Sequence, residues 1–144
     1  MKKAMVVMLI IFFIMVAIVT LNIKAKQDDE KNVKKINSEY EQYLGKTIYG
    51  TDVTTIINKA IDSNEHYKIQ KDENGNYVDD EKYCIKIELN MITIEKTYQM
   101  EQINRAGLTE FVKNFNTVTF ECTRIEHHSK TGRVSKIVFT QLEE

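Results

Sequence analysis

The stretch AMVVMLIIFFIMVAIVTLNI, residues 4–23, contains no charge, no proline and no glycine. As a helix rising about 1.5 Å per residue it is roughly 30 Å long, the thickness of a bilayer's hydrocarbon core. Outside it remain roughly 120 residues, enough for one modest domain and too few to wrap a helix that is apolar on every side. A cleaved signal peptide has a shorter apolar region, about 7–15 residues, followed by a small-x-small site. Here Asn22-Ile23-Lys24-Ala25 puts Ile23 where a small residue is needed, and no cysteine follows at once to carry a lipid. The reading is an uncleaved transmembrane signal-anchor over 1–23, with the lipid bilayer as the partner of residues 4–23.

Composition agrees with one folded domain beyond the anchor. Of 144 residues, 42% are hydrophobic and 28% charged, too rich in aliphatics and tyrosine for a disordered tail. The chain carries 20 basic and 21 acidic residues, and Lys2 and Lys3 precede the apolar run. The remainder is therefore mildly acidic, which argues against a nucleic-acid partner.

Two charge rules oppose each other on orientation. Lys24, Lys26, Lys31, Lys34 and Lys35 follow the run, and a plain lysine count keeps the following domain inside. A two-lysine n-region running straight into an apolar stretch is, however, how export signals begin, and the downstream lysines are mixed with Asp28, Asp29 and Glu30. We expect the C-terminal domain outside a cell membrane crossed once.

Val33, Ile36, Tyr40 and Tyr43 or Leu44 recur at helical spacing, so the helix continues outward as a stem over 24–46, with Gly45 as its stop. The head, 47–144, opens with a short loop or extended piece at 45–50. A helix then starts at Thr51 or Asp52 and carries Val53, Ile56, Ile57, Ala60 and Ile61 on one face, ending at Asp62-Ser63-Asn64. A short strand at 67–70, a hairpin turn at Asn74-Gly75, an alternating strand over 83–89 and another over 91–98 follow. Met100, Ile103, Gly107 or Leu108, Phe111 and Phe115 restore helical spacing, and strands over 117–126 and 133–142 flank a turn at 129–132. The expected fold class is α+β: an N-terminal transmembrane helix continuing into an amphipathic stem, then a small antiparallel sheet packed against one or two helices.

No catalytic, cofactor-binding or metal site emerges. Asp72, Asn74 and Asn76 begin like a calcium loop, but Tyr77 stands where the bend needs glycine and Tyr83 where a glutamate should close the shell. A solvated hairpin tip is expected instead. His127 and His128 are adjacent, so a strand points them to opposite faces, and His66 is remote; surface histidines beside a turn are expected. Cys84 shares a face with Lys86 and Glu88, whereas Cys122 shares one with Val118 and Phe120. Alternation thus places one cysteine outward and one inward, against a disulfide. Tyr40, Tyr43 and Tyr49 are expected to dock the stem onto the head, with an association surface as the alternative. Neither a nucleophile elbow nor a glycine-rich phosphate loop occurs; we expect no enzyme and no cofactor.

The apolar helix, amphipathic stem and small α+β head resemble type IV pilins and pseudopilins, which assemble by packing their hydrophobic helices side by side. The segment from Asn37-Ser-Glu-Tyr-Glu-Gln-Tyr43-Leu-Gly45 through Gly50-Thr-Asp-Val53 to Asn64 is similar to short pilin-like or envelope proteins of Gram-positive bacteria. One departure stands out: prepilins carry glutamate at the fifth mature position, and cleavage after Ala4 would put Leu9 there. The resemblance implies a minor subunit or an unprocessed accessory protein of a pilus or secretion system, with protein partners or self-association through the membrane helix and stem. The alternative is a membrane-tethered binding module of the envelope whose ligand the sequence does not name.

Overall fold

The computed structural model describes residues 2–143. The chain forms two compact units, Met1–Lys35 and Ile36–Glu144. Helix α1, Lys2–Glu41, makes up the first unit and contributes residues 36–41 to the second. The second unit continues with β1 (Thr47–Tyr49), α2 (Gly50–His66), β2 (Lys86–Met91), β3 (Lys96–Gln99), α3 (Met100–Ala106), α4 (Leu108–Phe115), β4 (Thr119–His127) and β5 (Val134–Gln141).

The fold class is α+β, but the sheet is mixed and not purely antiparallel as expected. Its order is β1-β4-β5-β2-β3, and β2 runs parallel to β5, with Ile87 opposite Ile137 and Leu89 opposite Phe139. Alternation tells which face of a strand is buried and leaves its neighbour undetermined. The clue lies in β5: Ile137, Val138 and Phe139 are all buried, the continuous apolar run of a strand covered on both faces, which parallel-paired strands favour.

Several boundaries differ from expectation for local reasons. The stretch 67–70 is no strand, because Tyr67 caps the C-terminus of α2 and Lys68 takes a left-handed conformation at φ 55°. Only an isolated bridge, Lys71 to Tyr77, joins the arms of the Asn74-Gly75 turn. The turn expected near Asn90 falls at 92–95, where Glu95 adopts φ 50°, and β3 follows it. The single helix expected over 100–115 breaks at Gly107, whose φ of 99° and ψ of 118° end α3 and start α4.

Helix α2 carries much of the core. Val53, Ile56, Ile57, Ala60 and Ile61 are buried with Ile87, Leu89, Met100, Phe120, Ile137 and Phe139; burying each Ile or Leu stabilises by ~1.5–3 kcal/mol. The helix begins at glycine because α4 ends against it: a Cβ at Gly50 would lie 2.0 Å from the Phe115 carbonyl oxygen. At the other end Lys68 N–H donates to Glu65 O and Ile69 N–H to Asn64 O, a Schellman motif with buried Ile69 as its apolar contact. Lysine occupies the left-handed position that favours glycine. We predict that Lys68→Gly stabilises the head by about 0.5–1 kcal/mol, read as a higher denaturation midpoint at an unchanged m-value.

Two asparagine side chains complete the backbone bonding of the sheet. Asn64 Nδ2 donates to Ile85 O at 2.7 Å while its Oδ1 accepts from Ile85 N at 2.8 Å. Asn37, near the end of α1, does the same around the last hairpin: Nδ2 donates to Gly132 O at 2.8 Å and Oδ1 accepts from Val134 N at 2.9 Å. Each amide mimics a peptide group of a neighbouring strand, satisfying backbone groups that no ladder reaches.

Candidate functional site

The first candidate is the surface of α1 itself. Every large apolar side chain over residues 5–23 is exposed, from 42% at Val16 to 74% at Met8. The two uncharged polar side chains in that run each bond the helix backbone. Thr20 Oγ1 donates to Val16 O or Ala17 O, and Asn22 Nδ2 donates to Ile18 O at 2.9 Å. Both side chains thus direct a donor onto the helix's own backbone, which lowers the cost of placing them in hydrocarbon. Among the described residues one helix, Met5–Glu41, is long and apolar enough to cross a membrane.

Within the head, the residues singled out by the sequence fall into different places. Asp72 is a turn cap: its Oδ1 accepts from Asn74 N and Asn76 N at 2.9 and 2.8 Å. These bonds, the one from Asn76 foremost, hold its carboxyl below the usual range. Arg105 Nη1 pins the turn by donating to Asn74 O at 2.9 Å. Tyr40 is buried, Tyr43 is half-buried and Tyr49 is 56% exposed. Of the three, then, Tyr40 is the one fully packed into the head.

The cysteines correct the alternation argument. Cys84 is 1% exposed and Cys122 0%, both as free thiols. Cys84 precedes β2, so the outward phase of Lys86 and Glu88 does not reach it, and Cys84 and Ile85 are both buried. Burial pushes the Cys84 thiol up to about 12 and the Cys122 thiol up to about 11. Thiolate is the reactive form, so at pH 8 we predict alkylation in the native protein slower than in denaturant by roughly a hundredfold, measured by mass spectrometry after a timed maleimide pulse.

The histidines also depart from expectation. His127 is exposed and meets Glu41 at 2.7 Å, but His128 is buried. A register shift between Glu126 and His127 breaks the strand's phase there. His128 Nε2 lies 2.7 Å from Cys84 O, and its Nδ1 faces Asp79 Oδ1 at 3.8 Å. Asp80 stands alongside, its Oδ1 accepting from Lys82 N, Tyr83 N and Cys84 N at 2.7–3.0 Å. Burial raises the Asp80 pKa, but the three N–H bonds and the nearby His128 outweigh it, and the net shift is downward. One ligand atom from each of Asp79, Asp80 and His128 lies within 4.8 Å of the others.

Sequence reasoning passed over Arg133 altogether. Its guanidinium sits 4.5 Å from the Tyr67 ring and 5.2 Å from Tyr83, two rings stacked on each other at 4.5 Å. The side chain is 5% exposed, with Nε and Nη2 buried and unpaired among the described residues. It borders a cavity of about 460 Å³ with Tyr40, Lys59, Asp62, Ser63 and His66. Burial pushes the Tyr40 hydroxyl up to about 12, with Glu39 adding to the shift. A signal did exist for Asn64, which continues the stripe of Ile57, Ala60 and Ile61 on an otherwise apolar face. For Arg133 and His128 no local pattern in the sequence announces burial.

Comparison of the chain with protein-family models, curated proteins and solved structures finds no match in any of the three. The functional argument therefore rests on the residues described above.

Proposed function

We propose that the chain is a non-enzymatic single-pass membrane protein with an exported head, a pilin-like or accessory component of a pilus or secretion assembly. The observation that carries this reading is the apolar run over 5–23, exposed on all sides, with Thr20 and Asn22 bonded to its own backbone. Such a surface is covered by lipid or by other apolar helices. Cross-linking in native membranes tests it, comparing the full chain with a chain beginning at Lys26. Full-length adducts that disappear in the shortened chain support assembly through the helix.

A second reading, a membrane-tethered binding module, draws on the Arg133 cavity, where two buried guanidinium nitrogens, Nε and Nη2, have no hydrogen-bond partner among the described residues and the hydroxyls of Tyr40 and Ser63 line the same space. Under it, the shortened chain keeps its cross-linked partner, and that result would replace the first reading.

A further inference from the structure

We infer that Asp79, Asp80 and His128 form a binding site for a divalent transition-metal ion of the zinc class. The argument starts from the ring of His128. Its side chain is 4% exposed, and the contact of 2.7 Å from Nε2 to the Cys84 carbonyl oxygen requires Nε2 to carry the proton, because a carbonyl only accepts. That contact turns the other ring nitrogen, Nδ1, toward the aspartates. Nδ1 faces the carboxylate of Asp79 at 3.8 Å, beyond hydrogen-bond distance. A buried ring nitrogen and the carboxylates of two exposed aspartates thus converge, with one ligand atom from each within 4.8 Å of the others.

A divalent cation fits this convergence, and the surroundings match what a metal-bound histidine needs. Metal-ligating imidazoles hold their orientation by donating the other ring N–H to a carbonyl or carboxylate, as His128 does to Cys84 O. One nitrogen and two carboxylate oxygens form a mixed donor set that suits zinc, whereas calcium and magnesium prefer oxygen alone. The two carboxylates match the charge of the ion. The neighbouring lysine, Lys130, is already engaged by Glu81 and does not neutralise them. Bonds of about 2.0–2.2 Å require ligand atoms somewhat closer than those seen here; Asp79 is exposed, its Oδ1 is held by Glu81 N–H at 2.9 Å, and a turn of the carboxylate about that contact closes the gap. Asp79 and Asp80 also line a cavity of about 340 Å³ with Tyr67, Lys68 and Gln70, which leaves room for water at the open coordination position.

The loop is held without the ion by the three N–H bonds to Asp80, so the site is expected to bind reversibly to a folded head. The test uses the full chain in detergent micelles, stripped with a chelator and exchanged into chelator-free buffer. Zn²⁺ is expected to raise the Tm progressively with concentration, and Co²⁺ to give visible d–d bands that Zn²⁺ displaces. Asp79→Asn, a change at an exposed side chain, should weaken Zn²⁺ binding at least about tenfold with the metal-free Tm unchanged. Nitrogen-15 spectra of the ring should show Nδ1 shifted by Zn²⁺ while Nε2 keeps its proton. His128→Gln alone would be ambiguous because that side chain is buried; the Asp79 variant and the ring spectra avoid the difficulty. The inference is overturned if Zn²⁺ leaves the Tm and the His128 ring unchanged, if Asp79→Asn binds as tightly as the wild type, or if Nδ1 simply carries a proton with Zn²⁺ present.

Discussion

Asn64→Ala is expected to be the most damaging single change in the head. Both the N–H and the C=O of Ile85 lose their partner, and each buried backbone group left unsatisfied costs about 1–3 kcal/mol. Together that is roughly 2–6 kcal/mol, a large fraction of a typical domain stability of about 5–15 kcal/mol. Asn64 is 0% exposed and Ile85 1%, so water does not replace the lost bonds. Asn64→Asp separates the two halves of the interaction. It keeps an acceptor for Ile85 N–H but sets a carboxylate against Ile85 C=O, where burial and the facing oxygen raise its pKa above the unfolded value. Stability of that variant should then be greatest below the unfolded carboxyl range and fall as pH rises through the raised pKa, the opposite of ordinary acid unfolding. Chemical denaturation of the two variants and the wild type at pH 4 and pH 7 checks both statements. A loss below ~1 kcal/mol in Asn64→Ala would show that Ile85 finds other partners.

Ile14→Arg should abolish stable membrane residence while sparing the head. Ile14 lies midway along the apolar run, 53% exposed, and a central arginine costs ~2.5–3.5 kcal/mol on insertion scales, which is roughly a hundredfold shift in the insertion equilibrium. Val16 is an equivalent position. Membrane fractionation reads the effect, with Ile14→Leu as the control that keeps apolar volume. The head's thermal transition should be unchanged, because residue 14 belongs to the other compact unit. An arginine variant that still fractionates with membranes and still cross-links would sink helix-mediated assembly.

Elements with one strong local cause were legible in the sequence. The apolar run of residues 4–23 has no charge to interrupt it, and the stripe from Val53 to Ile61 sets the buried face of α2. The final hairpin follows from two strands around a turn at 129–132. What escaped depends on distant partners. Parallel pairing of β2 with β5 is decided by which strand enters the sheet's centre. The start of β2 at Lys86, not Tyr83, follows from Asn64 and Asp80 capturing the backbone just before it. Burial of His128 rests on a register shift in β4 and on the Cys84 carbonyl, 44 positions away in sequence. Neither feature has a local signature, so adjacent histidines by a turn read as surface residues.

The central claim is that the chain spans a membrane once with its head outside. The native cysteines are too buried to report on this, so the probe is Glu73→Cys at the exposed Asn74-Gly75 turn, treated in intact cells with a membrane-impermeant maleimide and followed by alkaline carbonate extraction. The account predicts labelling before lysis, with the labelled protein remaining in the carbonate pellet. Labelling only after lysis, or release of the protein into the carbonate supernatant, would contradict it.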